Sequence, residues 1–173
     1  DMDGDLDLFL AHWGNDPQPD TETLWQNNGD GTFTDKAADM GIDDAEQGRA
    51  VICADFDNDR DTDVLLLLNQ SANAAMLWDN DLTEKNAIRI TVTGASKNTQ
   101  GVGVVIRATI NGVTQRRDIK IASNFASHNP TREIIGLGNA TTIDRLVVTW
   151  PDGQEEIRTN VSANQDLTFT HPG

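Results

Sequence analysis

The sequence predicts an all-β chain built in two parts, and three observations carry that expectation. Two Asp-rich runs, each leading into a short apolar strand, recur 56 residues apart in the first half. From Asn86 onward the Asp clusters vanish, and short alternating strands follow one another between explicit turn signals. No segment carries the apolar periodicity of a long helix.

In order along the chain, Asp1 to Leu8 aligns with Asp57 to Val64. Each run feeds an apolar strand, Leu8 to Leu10 in one copy and Val64 to Leu68 in the other. Each strand then leads through a polar loop to a Leu-Trp pair and a turn, at Leu24 and Trp25 and again at Leu77 and Trp78. Between the copies, Asn27 to Phe33 holds two glycine-bearing turn signals before a short strand. Its Asp30 is within reach of a cation, but a tight hairpin is the commoner use of such a segment. Lys36 to Met40 reads as one helical turn, and Gly48 to Ala54 as the strand entering the second acidic run. A period near ~50 residues made of strands and turns is the mark of β-propeller blades. The first copy lacks the two residues that precede Asp57 in the second, so the sequence reads as a fragment that begins in mid-motif. The absence of a signal peptide upstream is therefore uninformative.

The second half offers strands at Ala87 to Thr93, Val104 to Ile110, Val113 to Ile121, Ile143 to Trp150 and Asp166 to Thr170. Asn111 and Gly112 favour a type I′ hairpin, and Pro151 to Gly153 suits a tight turn. Short strands and frequent turns predict a β-sandwich. The boundary falls between Asp81 and Asn86, giving a repeat region of truncated propeller blades over 1–85 and a sandwich over 86–173.

Charge narrows the partners. The chain carries 28 acidic against 13 basic residues, a formal charge of −15. Nucleic acid and anionic membrane surfaces would repel it. No apolar run approaches the ~20 residues of a membrane-spanning helix. The single cysteine, Cys53, sits in an apolar run and reads as a small buried hydrophobe, with no disulfide framework to join.

The acids are crowded, and crowded like charges call for a cation. With Asp55 as position one, acids fall at positions one, three, five, seven and nine: Asp55, Asp57, Asp59, Asp61 and Asp63. Ca²⁺ takes about six to eight oxygens at about 2.3–2.6 Å, and a tight loop of alternating carboxylates turns them around one point. By analogy with known calcium loops, Asp61 donates only its backbone carbonyl, while Asp55, Asp57, Asp59 and Asp63 supply side chains. An EF-hand is rejected, because it needs a Glu at position twelve between two helices, and Leu66 stands there inside a strand. The first run offers Asp1, Asp3 and Asp7 as side-chain ligands, with Asp5 in the place of Asp61.

Asp55 to Leu67, preceded by Gln47 to Val51 and by Asn27 to Asp35, resembles the FG-GAP/VCBS repeat of integrin-type β-propellers. The second half resembles the ASPIC/UnbV domain that follows such repeats in the cartilage acidic protein family. The matching residues are Asn98, Gly101 to Ala108, Ser127, Pro130, Ile135 to Gly138 and Ile143 to Gly153. The resemblance implies a secreted or cell-surface protein with a calcium-bearing propeller and a sandwich. Two residues depart from the pattern: Arg60 replaces the glycine of position six, and Phe125 stands where tyrosine is expected. Fewer than two repeats are present, whereas a propeller has about four to eight blades. Open sheet edges would then invite self-association.

No catalytic constellation is legible. His12, His128 and His171 are scattered, and neither HExxH nor GxSxG occurs. Ser127 and His128 are neighbours that a strand would point to opposite faces. Gly101 to Gly103 lacks the third glycine and the helix of a dinucleotide site. Trp13, Trp25, Trp78 and Trp150 are of a type that stacks on sugars, but the recurrence of Trp25 and Trp78 in the repeat favours packing. The expectation is a non-enzymatic, calcium-binding adhesion or ligand-binding module, taking a protein or carbohydrate ligand at an extracellular surface. The alternatives are a part of a polysaccharide-binding or polysaccharide-degrading enzyme, against which the absence of tyrosine counts, and a structural subunit of a surface polymer.

Overall fold

The computed structural model describes residues 1–13, 21–45, 47–69, 74–82 and 84–173. The first half contains two three-stranded antiparallel sheets. One runs β1 (Leu8–Leu10), β2 (Thr23–Asn27), β3 (Phe33–Asp35), and the other β4 (Gly48–Ala54), β5 (Asp63–Leu68), β6 (Ala75–Trp78). The sequence repeat is a repeat of pairing. Leu8 lies opposite Trp25 across β1 and β2, and its counterpart Val64 lies opposite Trp78 across β5 and β6. The single helical turn α1 (Ala37–Met40) follows β3 and ends on Gly41.

The second half is a sandwich. Its strands are β7 (Asn86–Thr93), β8 (Val105–Ile110), β9 (Val113–Asp118), β10 (Glu133–Gly138), β11 (Thr142–Thr149), β12 (Glu155–Ser162) and β13 (Asp166–Thr170). They form sheets of order β10-β7-β13 and β12-β11-β8-β9. Every pair is antiparallel except β7 with β13. Alternate residues turn inward, so Ile88, Ile90, Ile135 and Phe169 of one sheet meet Ile106, Ala108, Leu146 and Val148 of the other in one dry core. The Asn111 and Gly112 turn has φ of 51° and 81°, both positive as a type I′ hairpin needs.

Two strands went unread in the sequence. β10 carries Gly136 and Gly138, which imitate turn signals. Gly136 is there for close approach: a Cβ on it would lie 2.6 Å from the Met2 carbonyl oxygen. β12 is largely polar because it is an edge strand, paired with β11 alone. The run expected to reach Ile121 leaves the strand at Asp118, although Ile119 stays buried and donates its N–H to Val104 at 2.9 Å.

Among the described residues no strand pairing crosses between the halves; side chains and loops join them. The free edge of β4 is covered by the loop before β10. Val51 C=O accepts from Asn124 Nδ2 at 3.0 Å and from Ser127 Oγ at 2.6 Å, and the Cys53 N–H donates to Asn129 Oδ1 at 3.0 Å. Part of this edge is thus satisfied within the chain, which is one of the ways an exposed strand is kept from pairing elsewhere. The acidic run at the start abuts β10, where the Gly138 N–H donates to Met2 C=O at 2.9 Å.

Candidate metal centre

The loop between β4 and β5 is organised by its own acids. Asp57 Oδ1 accepts the Asp59 N–H at 3.0 Å, and Asp59 Oδ1 accepts the Asp61 N–H at 2.9 Å, each bond turning the backbone two residues on. The chain passes through positive φ at Asn58 (73°) and Arg60 (82°). Asp63, the first residue of β5, is fully buried and spends both oxygens on backbone. Its Oδ2 accepts the Phe56 N–H at 2.7 Å and closes the loop; its Oδ1 accepts the Asn80 N–H at 2.9 Å and ties the loop to the segment after β6.

Within this frame Asp55, Asp57 and Asp63 bring carboxylate oxygens within 4.8 Å of one another. The Asp55 side chain has no exposed area. Its Oδ2 is held by Arg89 Nη1 at 2.7 Å, while its Oδ1 has no hydrogen-bond partner among the described residues. An unpartnered buried carboxylate oxygen is costly, and a cation would satisfy it. Three carboxylates without His or Cys make an oxygen-only set that fits a hard cation.

Asp59 and Asp61 stand outside that trio. Asp59 commits Oδ1 to the Asp61 amide. Asp61 is buried, its Oδ2 accepts the Leu82 N–H at 2.9 Å, and its Oδ1 has no partner among the described residues. Desolvation first, and then Asp59 and Asp63, push its carboxyl up to about 7 against the opposing Leu82 bond. The sequence reading missed Asp79. Its carboxyl is held above the usual range by desolvation and then by Asp57, Asp63, Asp59 and Asp81, so it shares the loop's field. Its position directly after the repeated Trp78 was the available signal.

The first acidic run repeats part of this design. Asp1 Oδ1 accepts the Asp3 N–H and Asp3 Oδ1 the Asp5 N–H, both at 3.1 Å. Asp7 Oδ1 accepts the Asn27 N–H at 2.8 Å, as Asp63 accepts that of Asn80. Asp5, like Asp61, keeps a buried Oδ1 without a partner among the described residues, and its carboxyl is raised by desolvation and then by Asp3 and Asp7. Asp1 differs from its counterpart Asp57, because Gln26 donates its side-chain amide to it. Among the described residues, no three acids of this run gather as Asp55, Asp57 and Asp63 do.

The other candidates have structural partners. Asp30 takes the Thr32 N–H at 2.9 Å and hydroxyl at 2.6 Å within its hairpin. Burial pushes the Cys53 thiol up to about 11, which leaves it protonated. Ser127 is engaged with Val51, and His171 Nε2 meets Asp152 at 3.0 Å while its ring edges onto Trp150. Trp78 packs on Phe9 at 5.9 Å, and Arg49 lies 4.0 Å over Trp13.

With this geometry in place, comparison with known families finds a likeness in each half. The FG-GAP-like repeat family matches residues 1–66, and the ASPIC and UnbV family matches residues 94–173. Residues 1–66 are thus similar to FG-GAP-like repeats and residues 94–173 to ASPIC and UnbV domains. Cartilage acidic protein 1 of Xenopus tropicalis is 38% identical over 72 residues, covering 36% of this chain and 11% of that protein. Cartilage acidic protein 1 of Homo sapiens is 51% identical over 43 residues, covering 24% of this chain and 6% of that protein. The chain thus spans about a tenth or less of the length of these curated relatives.

Proposed function

We propose that this chain is a calcium-binding, non-enzymatic module of a larger extracellular protein, with its FG-GAP-like sheets acting as propeller blades and its principal ion held by the loop from Asp55 to Asp63. The observation that carries the reading is the trio Asp55, Asp57 and Asp63, with oxygens within 4.8 Å and Asp55 Oδ1 buried and unpartnered. Asp55, Asp57, Asp59 and Asp63 supply carboxylates, Asp61 its backbone carbonyl, and the loop of Asp1, Asp3, Asp5 and Asp7 forms a weaker second site. The extracellular setting is supported by the likeness to cartilage acidic protein 1. Adhesion to a protein or carbohydrate ligand is the role that follows from a calcium-stiffened repeat joined to a sandwich.

Calorimetric titration of the full chain with calcium and with magnesium tests the metal reading. Calcium should bind more tightly than magnesium, which demands a smaller and more regular octahedral site. Asp57→Asn should weaken calcium at least tenfold. A wild-type chain that takes up no calcium, or a substitution without effect, overturns the assignment.

A further inference from the structure

The calcium loop is also the place where the two halves are ionically joined. Arg89, on β7 of the sandwich, reaches across to the loop: Nη1 lies 2.7 Å from Asp55 Oδ2 and 3.0 Å from Asn58 Oδ1, while Nη2 is paired with Asp166 of β13. Asp166 is shared, because its Oδ1 takes Arg60 Nε of the loop at 2.9 Å. Arg132, ahead of β10, donates Nη2 to the Asp55 C=O at 3.4 Å. The Arg89 side chain is 11% exposed and that of Asp55 is not exposed at all. The bridge is therefore largely shielded from water and from salt.

We propose that Arg89 is a positioning residue for the cation site, so that ion binding in the first half and docking of the sandwich are one coupled equilibrium. The inference rests on the calcium reading above. Arg89 occupies Oδ2 of Asp55 and leaves Oδ1 buried without a hydrogen-bond partner among the described residues. A carboxylate pinned in that way can serve a guanidinium with one oxygen and a metal with the other. Outer partners of this kind fix the orientation of a ligand, and their removal typically lowers metal affinity about 10–100-fold. The charge the guanidinium brings near the ion is partly offset by Asp166, which Arg89 shares with Arg60. Its planar fork also explains the choice of arginine: one side chain holds Asp55, Asn58 and Asp166 together, which an ammonium on a single nitrogen does less well. Linkage then works in both directions: whatever the docked sandwich adds to ion affinity, the ion adds to docking.

The test uses the full chain, calorimetry for calcium and amide exchange for docking. The reporter is the Cys53 N–H, bonded to Asn129 across the junction; the control is the Ile52 amide, paired with Leu65 inside its own sheet. Calcium should slow exchange of Cys53 at least fivefold beyond any change at Ile52. Arg89→Ala should weaken calcium at least tenfold and remove the calcium effect on Cys53. Arg89→Lys, which keeps the charge and the stem, guards against a folding failure and should still weaken calcium at least threefold. Wild-type affinity in both variants overturns the proposal. So does a wild-type chain that binds calcium while Cys53 and Ile52 exchange alike with and without it, a result that leaves the calcium reading standing. No calcium uptake by the wild type rejects the calcium reading itself, and the coupling falls with it.

Discussion

The two acidic loops share one motif and differ in what surrounds them. Both build the same ladder of side-chain-to-backbone bonds, and both anchor their last acid to the amide two residues after a tryptophan, Asp7 to Asn27 and Asp63 to Asn80. Among the described residues the second gathers three carboxylates, one of them Asp55, a position outside the aligned stretch of the first run, and an arginine from the other half holds that acid. In the first loop Gln26 neutralises none of the charge it touches, and the contact with the sandwich is made by backbone, Gly138 to Met2. The repeat thus fixes the shape of the loop, and in the second loop a neighbour outside the repeat holds one of its acids.

The largest test of that difference is at the last acid of each loop. Asp63→Asn turns one buried acceptor into a donor facing a backbone N–H, a loss of about 1–3 kcal/mol in stability. It also removes a carboxylate ligand, so calcium affinity should fall about 100-fold. Asp7→Asn should cost less on both counts, because Asp7 is partly exposed and holds the amide of Asn27 with one oxygen. Asp61→Asn should weaken calcium less than Asp63→Asn, since the substitution leaves the backbone carbonyl in place. Titration and thermal melts of the three variants decide this. Equal losses at Asp61 and Asp63 would mean that the loop's register is misassigned.

Next comes the ion itself. At 100 times its Kd, calcium binding to the native state alone adds about 2.7 kcal/mol. That gain should appear in the first half, where all the Asp clusters lie, and much less in the sandwich. Melts with calcium and with chelator, read separately by exchange of Leu66 and Ile106 amides, show the split. Identical melts remove the basis for treating either loop as a metal site.

A third carboxylate sharpens the comparison by being buried in neither loop. Glu22 is fully buried at the start of β2, with Oε2 accepting the His12 N–H at 2.8 Å. Its Oε1 has no partner among the described residues. Burial is the main cause that pushes its carboxyl up to about 7, partly opposed by amides and reinforced by Asp44. A carboxyl that binds its proton more tightly when folded stabilises the fold below the ordinary carboxylate range. That contribution is lost as pH rises from about 4.5 to about 7, on the order of 2 kcal/mol. Denaturant melts at pH 5 and pH 7.5 should show the fall, and Glu22→Gln should flatten it. An unchanged slope in that variant would assign the effect to other acids.

How much of this was legible follows from where each signal lies. The repeat, the strand starts and the loop acids are local, and Gly48 to Ala54 and Asp166 to Thr170 were readable to the residue. β10 was hidden because its glycines serve contact with Met2, and β12 because an edge strand tolerates polar residues on both sides. The role of Arg89 was invisible for a different reason. It sits in an ordinary alternating strand, and only the docking of two sequence-distant segments brings it to Asp55. Asp79 lay in plain view after Trp78 but follows no spacing rule for a ligand. What a sequence conveys poorly here is contact between halves, made by backbone at the first loop and by ion pairs at the second.

Arg60 offers the smallest and most discriminating test of the same point. Position six of the first loop is Gly4, at φ 113°; position six of the second is Arg60, at φ 82°. A side chain in that region costs roughly 1–2 kcal/mol, and glycine would relieve it. Against this relief stand the bond from Arg60 Nε to Asp166 at 2.9 Å, a partly exposed ion pair worth about 0–1 kcal/mol, and the greater backbone freedom that glycine loses on folding, about 0.4–1 kcal/mol. These effects nearly cancel, so Arg60→Gly should leave the melting temperature of the chelated chain almost unchanged. Calcium affinity should rise, because a positive charge leaves the neighbourhood of a divalent ion, but only two- to fivefold, because Asp166 already holds that charge away from the carboxylates. Asp166 would then serve Arg89 alone and keep Asp55 in position. Titration of the variant beside the wild type reads the sign directly. Weaker binding would show that Arg60 helps to fasten the loop to the sandwich, and that even position six of this loop is governed by the far half and not by its own turn.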